Sequence, residues 1–249
     1  MNGSYEGHRM MVFAHRGASG AAPENTLAAF QQAIEKGADG VELDVRLTSD
    51  GKAVVIHDPT INRTSDGKGE VSSMSYNVLR SFNMAAKWKG SDWGVQRIPL
   101  LEEVIDCVVP SGLTVNIELK GAAGDPRLAE EAARVVRERR ATDNVIFSSF
   151  DPYQLQVVGG LLPGSRRAIL CFLPYPARRA KAEGYWGCHP HYLLTGRAAI
   201  DSYHSEGLYI QLWTVNTKPD LKRALSMKAD GVITNHPAIA VAIREGRLN

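Results

Sequence analysis

The sequence has little cysteine. Its 249 residues include only three, Cys107, Cys171 and Cys188. An odd number at wide spacing builds neither a disulfide framework nor a cysteine zinc site. Such cysteines are typical of reduced thiols in an intracellular protein. The first ten residues, MNGSYEGHRM, also lack the apolar core of a signal peptide, so we expect a cytoplasmic protein.

Long hydrophobic runs and a strong excess of one charge are missing as well. No apolar stretch is long enough to span a bilayer, so we expect no stable membrane insertion. The net charge of +2 gives no broad basic field, and nucleic acid is therefore not indicated as a partner. What remains is an ordinary globular mixture, 44% hydrophobic and 22% charged, that can bury a sizeable core.

The most informative stretch reads GVELDVRLTSDGKAVVIHD. Apolar and polar residues alternate in its first half, which predicts a β-strand with Glu42 and Asp44 on one face. Like charges so placed destabilise a strand unless a positive group lies between them. The dipeptide Asp50-Gly51 between apolar runs predicts a two-residue hairpin turn. That turn would pair Asp44 with His57 and bring a histidine beside the two carboxylates.

A strand–helix rhythm extends on both sides of this ribbon. Eight parallel strands are the number that closes a (β/α)₈ barrel, so we expect an α/β TIM barrel formed by one domain over residues 1–249. A doubly wound open sheet is the alternative, but no GxGxxG fingerprint follows the first strand. The other predicted strands are 10–14, 114–120, 145–150, 167–172, near 191–194, 208–215 and 231–234. The predicted helices open at 24–26 and cover 100–109, 126–141, 152–162, 177–183, 197–205, 219–227 and 237–244.

Residues 59–98 interrupt this rhythm. They contain turn residues and scattered aromatics, including Trp88 and Trp93, with no clear periodicity. Irregular segments of this length are usually functional, so we expect a small insertion after the second strand, standing on the barrel rim. A purely structural excursion is the alternative.

The ends of the predicted strands carry chemically active side chains. In a barrel the active site lies at the carboxyl ends of the strands. Residues two apart on a strand share one face, so the acid and the lysine that end the strand NIELK lie together. Seven side chains from distant segments are therefore expected at one place: His15, Arg16, Glu42, Asp44, His57, Glu118 and Lys120.

These residue types indicate phosphate chemistry. Three carboxylates without cysteine are typical of an oxygen-ligand site for Mg²⁺ or Ca²⁺. Arg16 and Lys120 supply positive charge for an anionic substrate, most naturally a phosphate. Two histidines on either side of phosphorus are the usual acid–base pair. The pair of imidazoles in His189-Pro190-His191 has no nearby third ligand, and we interpret it as a surface loop.

Several motifs together resemble the glycerophosphodiester phosphodiesterase family. They are HRGASGAAPENTLAAF, GADGVELDVRLTSDGKAVVIHD, IPLLEEV and NIELK, all within residues 11–120. The resemblance continues more thinly through SSFDP, QLWTVN and GVITNHP. It implies a metal-dependent TIM-barrel hydrolase that converts deacylated phospholipid headgroups, small phosphodiesters, to glycerol 3-phosphate and an alcohol.

The resemblance also implies a role for each matching residue. His15 and His57 would be the acid–base pair, and the glycerol 2-hydroxyl would be the nucleophile that forms a cyclic phosphate. Direct attack by water is the rival route. One divalent cation, Mg²⁺ or Ca²⁺, would be held by Glu42, Asp44 and Glu118; Arg16 and Lys120 would contact the phosphate, and Trp213 would form an apolar wall.

Two other functions stay open on the sequence. One is a related cleavage of lysophospholipid or phosphatidylinositol-type substrates, which would need an exposed apolar rim such as Trp88 and Trp93 could form. The other is a catalytically silent binding barrel, although a binding protein has no need of both two histidines and three carboxylates. The preferred headgroup and the oligomeric state are not determined by the sequence.

Overall fold

Eight parallel β-strands close into a barrel, as predicted. The computed structural model describes residues 9–248. The strands follow the order β1-β9-β8-β7-β6-β5-β4-β2, and β1 pairs with β2 to close the ring, which rules out an open sheet. A ninth strand, β3, is antiparallel to β2 outside the ring. The strands are β1 (Met11–His15), β2 (Gly40–Leu47), β3 (Ala53–Val55), β4 (Thr114–Leu119), β5 (Val145–Ser149), β6 (Arg166–Cys171), β7 (Gly187–Pro190), β8 (Tyr209–Leu212) and β9 (Gly231–Thr234).

Helices connect the strands and surround the barrel. None of those within residues 9–248 combines the length and the apolar character needed to cross a membrane. The α-helices are α1 (Leu27–Glu35), α2 (Tyr76–Leu79), α3 (Leu101–Val108), α4 (Arg127–Glu138), α5 (Pro152–Leu161), α6 (Ala177–Ala182), α7 (Arg197–Ser205), α8 (Lys218–Ser226) and α9 (Pro237–Arg244). Short 3₁₀ turns cover Val71–Ser73, Val109–Ser111, Thr142–Asn144 and Tyr192–Leu194.

Side chains on the outer face of β2 pack in the core, and side chains on its inner face point toward the site. On β2, alternate apolar residues, Val41 among them, pack in the large core that includes the helices. Glu42 and Asp44 point the other way, into the barrel. A small apolar cluster inside the barrel contains Phe13 and Ile233. The two-residue period of a strand therefore decides which side chains reach the site.

Residues 59–98 lie between β3 and α3 and contain α2 and one 3₁₀ turn. They have a core of their own, which packs against the hairpin strand β3. Its buried members are Val54, Ile56, Ile61, Val71, Leu79, Met84 and Ile98. This segment is thus anchored to the sheet by apolar contacts rather than hanging free from it.

The hairpin after β2 differs from the prediction by one residue. Leu47 pairs with Ala53, because the loop has three residues, 49–51, and not two. Gly51 has a φ of 76°, the left-handed conformation that closes a three-residue hairpin loop. The Asp-Gly signal located the turn correctly but not its length.

The predicted pairing of Asp44 with His57 is therefore wrong. Ile56 takes that place, and its N–H donates to the Asp44 carbonyl at 2.9 Å. Strand β3 ends at Val55, so the chain leaves the pleated geometry before His57. Arg46 Nε donates to the His57 carbonyl at 2.7 Å and holds the departing chain beside β2. His57 consequently reaches the site by a bend and not by strand register.

The strand predicted near residues 191–194 is also misplaced. The strand is Gly187–Pro190, and Tyr192–Leu194 forms a 3₁₀ turn. The regular strand ends at Pro190, which has no N–H to donate, although His191 still donates to the Cys171 carbonyl at 3.0 Å. His189 lies in this strand and is completely buried. The interpretation of the His-Pro-His segment as a surface loop is therefore wrong for its first histidine.

Candidate active site

A pocket of about 200 Å³ opens at the carboxyl ends of the barrel strands. Every predicted site residue except Asp44 lines it, and Asp44 lies just behind the wall, in contact with Arg16 and Lys120. The lining residues are His15, Arg16, Glu42, His57, Asn116, Glu118, Lys120, Ser148, Phe150, Leu170, Phe172, Trp213, Thr214 and Ile233. A larger groove of about 350 Å³ lies beyond Lys120 but is lined by neither histidine. We take the first pocket as the candidate site because the predicted residues converge there.

Three carboxylates form the negative centre of the site. Glu42, Asp44 and Glu118 each offer an oxygen within 4.8 Å of the others. Glu42 is 3% exposed and Asp44 is 1% exposed. Burial, together with repulsion from Asp44, raises the pKa of Glu42 well above its usual value and that of Glu118 to about 7. Two of the three groups are therefore poorly stabilised as anions by the protein alone.

This donor set fits a hard divalent cation. It consists of carboxylate oxygens alone, the ligands that Mg²⁺ and Ca²⁺ prefer. A cation among the three groups would offset the repulsion that raises the pKa of Glu42 and Glu118. Glu42, Asp44 and Glu118 are thus the described residues that could hold it.

Arg16 and Lys120 partly offset the negative charge. Lys120 Nζ lies 2.6 Å from Glu118 Oε1 and 3.3 Å from Asp44 Oδ1. Arg16 Nε lies 3.3 Å from Asp44 Oδ2, and the Arg16 backbone N–H donates to Glu42 Oε2 at 3.0 Å. Burial raises the pKa of Asp44, but these two cations outweigh it, so that pKa is low. Asp44 is the carboxylate that stays ionised most readily.

Arg16 has a left-handed backbone with a φ of 55°, which is uncommon for a residue other than glycine. This conformation turns its N–H toward Glu42 as the chain leaves β1. Its side chain also donates to Glu24 at 2.9 Å. Hydrogen bonds from the backbone and from the guanidinium group therefore both hold Arg16 in this uncommon conformation.

The two histidines are held through the same ring atom. His15 Nδ1 lies 2.6 Å from the amide oxygen of Asn235, and His57 Nδ1 lies 2.6 Å from Asp58 Oδ1. Both oxygens accept, so each Nδ1 carries a proton and each Nε2 is left for chemistry. Burial, with the Arg16 charge, lowers the pKa of His15 to about 4. Burial also lowers the pKa of His57, while Asp44 and Asp58 act against it.

Asp58 and Asn235 are site residues that sequence reasoning missed. Asp58 directly follows His57, and that adjacency was a usable signal. Asn235 is 220 positions from its partner His15, and only closure of the barrel through the β1–β9 pair brings them together. Arg63 was missed as well: it donates to both Asp58 and Glu24 and so ties segment 59–98 to the site.

The remaining wall of the pocket is aromatic. The rings of Phe150, Phe172 and Trp213 lie 5.3–5.5 Å apart in pairs. Trp213 is oriented by its indole N–H, which donates to the His189 carbonyl at 2.6 Å. Phe150 is 42% exposed and Phe172 is 61% exposed, so the aromatic wall continues outward to the mouth of the pocket.

An exposed apolar rim therefore exists, but not where we predicted it. Trp88 and Trp93 in segment 59–98 are only partly exposed. Three of the most exposed leucines lie instead in the segments after β6 and β7, close in sequence to the aromatic wall. They are Leu173, Leu193 and Leu194.

Comparisons with known proteins identify the family of this chain. The model of the glycerophosphoryl diester phosphodiesterase family matches residues 15–239. A glycerophosphodiester phosphodiesterase of Caldanaerobacter subterraneus subsp. tengcongensis is 36% identical over 242 residues, covering 96% of this chain and 99% of the relative. One from Bacillus altitudinis is also 36% identical, over 240 residues, covering 94% and 98%.

Solved structures give the same result. A phosphodiesterase of Oleispira antarctica, solved with the product sn-glycerol-3-phosphate, superposes with a TM-score of 0.88 at 30% identity, covering 94% of this chain and 97% of the other. A glycerophosphodiester phosphodiesterase of Agrobacterium tumefaciens has a TM-score of 0.82 at 26% identity, covering 94% and 99%. The chain belongs to the glycerophosphoryl diester phosphodiesterase family, as its motifs predicted.

Proposed function

We propose that this protein hydrolyses glycerophosphodiesters to glycerol 3-phosphate and an alcohol, with the help of one divalent cation. The observation that carries the proposal is the convergence of two histidines, three carboxylates and two cations on one pocket. The product held by the Oleispira relative has the chemistry that such a pocket requires, a phosphate attached to a polyol.

Glu42, Asp44 and Glu118 would hold the cation, Mg²⁺ or Ca²⁺. When bound, the cation supplies positive charge that polarises the phosphate and offsets charge developing on its oxygens. Arg16 and Lys120 flank the same carboxylates and would contact the remaining phosphate oxygens. Their fixed positions keep that charge in place before the substrate arrives.

We assign different roles to the two histidines. Burial and the Arg16 charge lower the pKa of His15 to about 4, so it is neutral near pH 7 and can accept a proton from the nucleophile at Nε2, which lies 4.0 Å from Glu42 Oε2. His57 donates to the Asp58 carboxylate, which stabilises the protonated imidazole. His57 is thus suited to give a proton to the leaving alcohol. Each such transfer typically contributes about 10²–10⁴-fold to the rate.

The nucleophile we propose is the substrate's own 2-hydroxyl group. Attack by its oxygen on phosphorus forms a cyclic phosphate and releases the alcohol, which takes its proton from His57. Water then opens the ring to give glycerol 3-phosphate. Direct attack by water on the diester is the rival route, and it needs no 2-hydroxyl.

Release of glycerol 3-phosphate from glycerophosphocholine tests the function. We expect turnover with Mg²⁺ or Ca²⁺, and less than about 1% of it in excess chelator, with recovery when the cation is returned. His15→Ala and His57→Ala should each lower kcat by at least about 10²-fold while substrate binding remains. Full turnover in chelator would contradict the carboxylate site.

A 2-deoxy analogue added to the same assay separates the two routes. The analogue keeps the phosphate and the leaving alcohol, so it should bind but be scarcely cleaved. Cleavage at the normal rate would exclude the cyclic route and leave direct hydrolysis.

A second candidate is cleavage of lysophospholipids, which carry an acyl chain. The exposed Phe150 and Phe172 at the mouth favour it, because an acyl chain needs apolar contacts outside the pocket. We rank it second because the floor of the pocket is polar. Comparing lysophosphatidylcholine with glycerophosphocholine in the assay above decides between the two.

We also propose a cytoplasmic location and no nucleic-acid partner. The location is supported by Cys107, Cys171 and Cys188, all of which are unpaired. The net charge of +2 supports the second statement.

A further inference from the structure

The floor of the pocket contains two polar side chains without hydrogen-bond partners. Asn116 and Ser148 line the pocket, and both residues are 0% exposed. Asn116 Nδ2, Asn116 Oδ1 and Ser148 Oγ have no partner within the described part of the protein. The neighbouring Ser149 differs, because its hydroxyl donates to the Leu119 carbonyl at 2.9 Å. Buried polar groups of native proteins are normally satisfied, so these three atoms point to a ligand or to ordered water.

The strands place these groups next to the proposed reaction centre. Asn116 precedes Glu118 by two residues on β4, so it shares the inward face, and it is the register partner of Glu42 on β2. Ser148 on β5 is the register partner of Glu118. A ligand bound among the carboxylates could therefore reach both side chains.

The chemistry of the floor matches an alcohol. An amide offers both a donor and an acceptor, and a hydroxyl offers the same pair, as does the hydroxyl of a polyol. Neither Asn116 nor Ser148 carries a charge, whereas Arg16 and Lys120 beside the carboxylates do, so the phosphate is better matched to that position than to the floor. The mouth of the pocket, lined by Phe150, Phe172 and Trp213, is apolar and does not suit a polyol.

We infer that Asn116 and Ser148 bind the primary hydroxyl group of the substrate's glycerol. The inference rests on the proposed function and adds an orientation to it. The glycerol enters first, with its primary hydroxyl on the floor, its phosphate among the histidines and carboxylates, and the other alcohol at the aromatic mouth. The enzyme should then require glycerol but accept many different alcohols. An acyl group on the primary hydroxyl should block binding.

The test compares two substrates that differ in one hydroxyl. Both are phosphocholine diesters that keep the 2-hydroxyl, one of glycerol and one of propane-1,2-diol, which lacks the primary hydroxyl. A site built to bind a hydroxyl rejects the analogue that lacks it, so wild-type kcat/KM should be at least about 10²-fold higher for the glycerol diester. Ser148→Ala and Asn116→Leu should reduce that ratio by about tenfold or more, through the glycerol diester alone.

Gln211→Leu is the matched control. Gln211 is also 0% exposed, and neither of its amide atoms has a partner among residues 9–248, but it does not line the pocket. Its ratio of kcat/KM values should equal that of the wild type, even if the variant is less stable. Ser148→Ala removes a single oxygen atom and should disturb the fold little. It therefore tests the inference even if Asn116→Leu does not fold.

Three outcomes would overturn the inference. One is equal wild-type cleavage of both diesters, and another is an equal loss on both in Ser148→Ala, which indicates a structural role. The third is a higher Mg²⁺ requirement in Ser148→Ala at an unchanged ratio, which would make the floor part of the cation site. Failure of the proposed function would look different, because the wild type would then cleave neither diester.

Discussion

At the residue scale, the two histidines of the proposed acid–base pair differ in what surrounds each ring. Both are held through Nδ1, but their partners differ in charge, Asn235 for His15 and Asp58 for His57. Burial and the Arg16 charge keep His15 unprotonated near neutral pH. The anionic partner of His57 favours its protonation and acts against burial. The different roles that we propose for the two rings thus depend on the groups around them.

Replacing Asp58 with asparagine tests this division. The hydrogen bond to Asp58 raises the pKa of His57, so its pKa should fall further in Asp58→Asn. If His57 must be protonated to act, the alkaline limb of the kcat/KM profile then moves to lower pH, and activity near pH 7 drops by about 10- to 100-fold. The measurement is the pH profile of kcat/KM on glycerophosphocholine.

Asp106→Asn is the control for this prediction. Asp106 pairs with Arg139 on the surface, away from the pocket, so its removal should leave both limbs unchanged. An unshifted alkaline limb in Asp58→Asn would mean that Asp58 does not set the protonation of His57.

At the element scale, two glycines with the same backbone angle do different work. Gly17 and Gly51 both have a φ of 76°. A Cβ on Gly51 would meet no heavy atom within 4 Å, because its hairpin loop faces open space. A Cβ on Gly17 would lie 2.6 Å from the backbone carbon of Ala29, the residue that α1 brings against the loop after β1. Gly51 is needed only because its backbone angle favours glycine, whereas Gly17 is needed for its backbone angle and for its small size.

The pair of alanine variants separates these two costs. Gly51→Ala should lower the free energy of unfolding by about 1–2 kcal/mol, the cost of a left-handed alanine, and keep nearly full activity. Gly17→Ala should cost at least about 2 kcal/mol more, since overpacking against backbone is added. It should also lose activity, because the neighbouring Arg16 N–H holds Glu42. Urea unfolding measures the loss of stability, and the glycerophosphocholine assay measures the activity. An equal loss of stability in the two variants would show that α1 moves to accommodate the added methyl group.

Segment 59–98 contributes no residue to the pocket lining, but it contacts residues that hold the site. Its Arg63 donates to Asp58 and to Glu24, and Glu24 in turn accepts from Arg16. One residue of the segment therefore contacts both Asp58, the partner of His57, and Glu24, the partner of Arg16. The segment keeps its own apolar core, which fixes the position of Arg63.

At the scale of the whole molecule, the carboxylate cluster links stability to pH and to the cation. The pKa of Glu118 is about 7 in the fold, above its ordinary value of 4.5, because of burial and the nearby Asp44. Its proton therefore stabilises the metal-free fold most fully below pH about 4.5, and that contribution is lost as the pH rises through about 7. A cation competes for the same oxygens.

The stabilisation given by Mg²⁺ should therefore grow with pH. At a concentration of about 100 times its Kd, the cation stabilises the fold by about 2.7 kcal/mol. For a chain of this size that raises Tm by roughly 5–10 °C near pH 8, with a much smaller rise near pH 5.5. Calorimetric melts with Mg²⁺ or chelator at both pH values measure it.

Glu118→Gln completes that experiment. The variant removes one charge and one of the three proposed ligands of the cation, so its Tm should respond little to Mg²⁺ at either pH. An equal rise at both pH values in the wild type would contradict competition between the proton and the cation.

Local patterns in the sequence determined most of the fold. The two-residue period of GVELDVRL set which side chains of β2 face inward, and the apolar spacing placed the helices to within a few residues. The first helix was predicted to open at 24–26, and in the structure Thr26 caps α1, where it accepts from the Ala29 N–H. These features were predictable because they depend on residues only a few positions apart. The family motifs were predictable for the same reason, since each is a short run.

Tertiary structure alone decided how these parts meet. The three-residue loop moved the hairpin register by one, and a bend after Val55 still delivered His57 to the pocket. Barrel closure brought Asn235 to His15. The pairing of β4 with β5 set Ser148 level with Glu118 and left the floor of the pocket polar. Each of these depends on atoms brought together from distant positions, and the free energy of such contacts is not encoded in any single stretch of the chain.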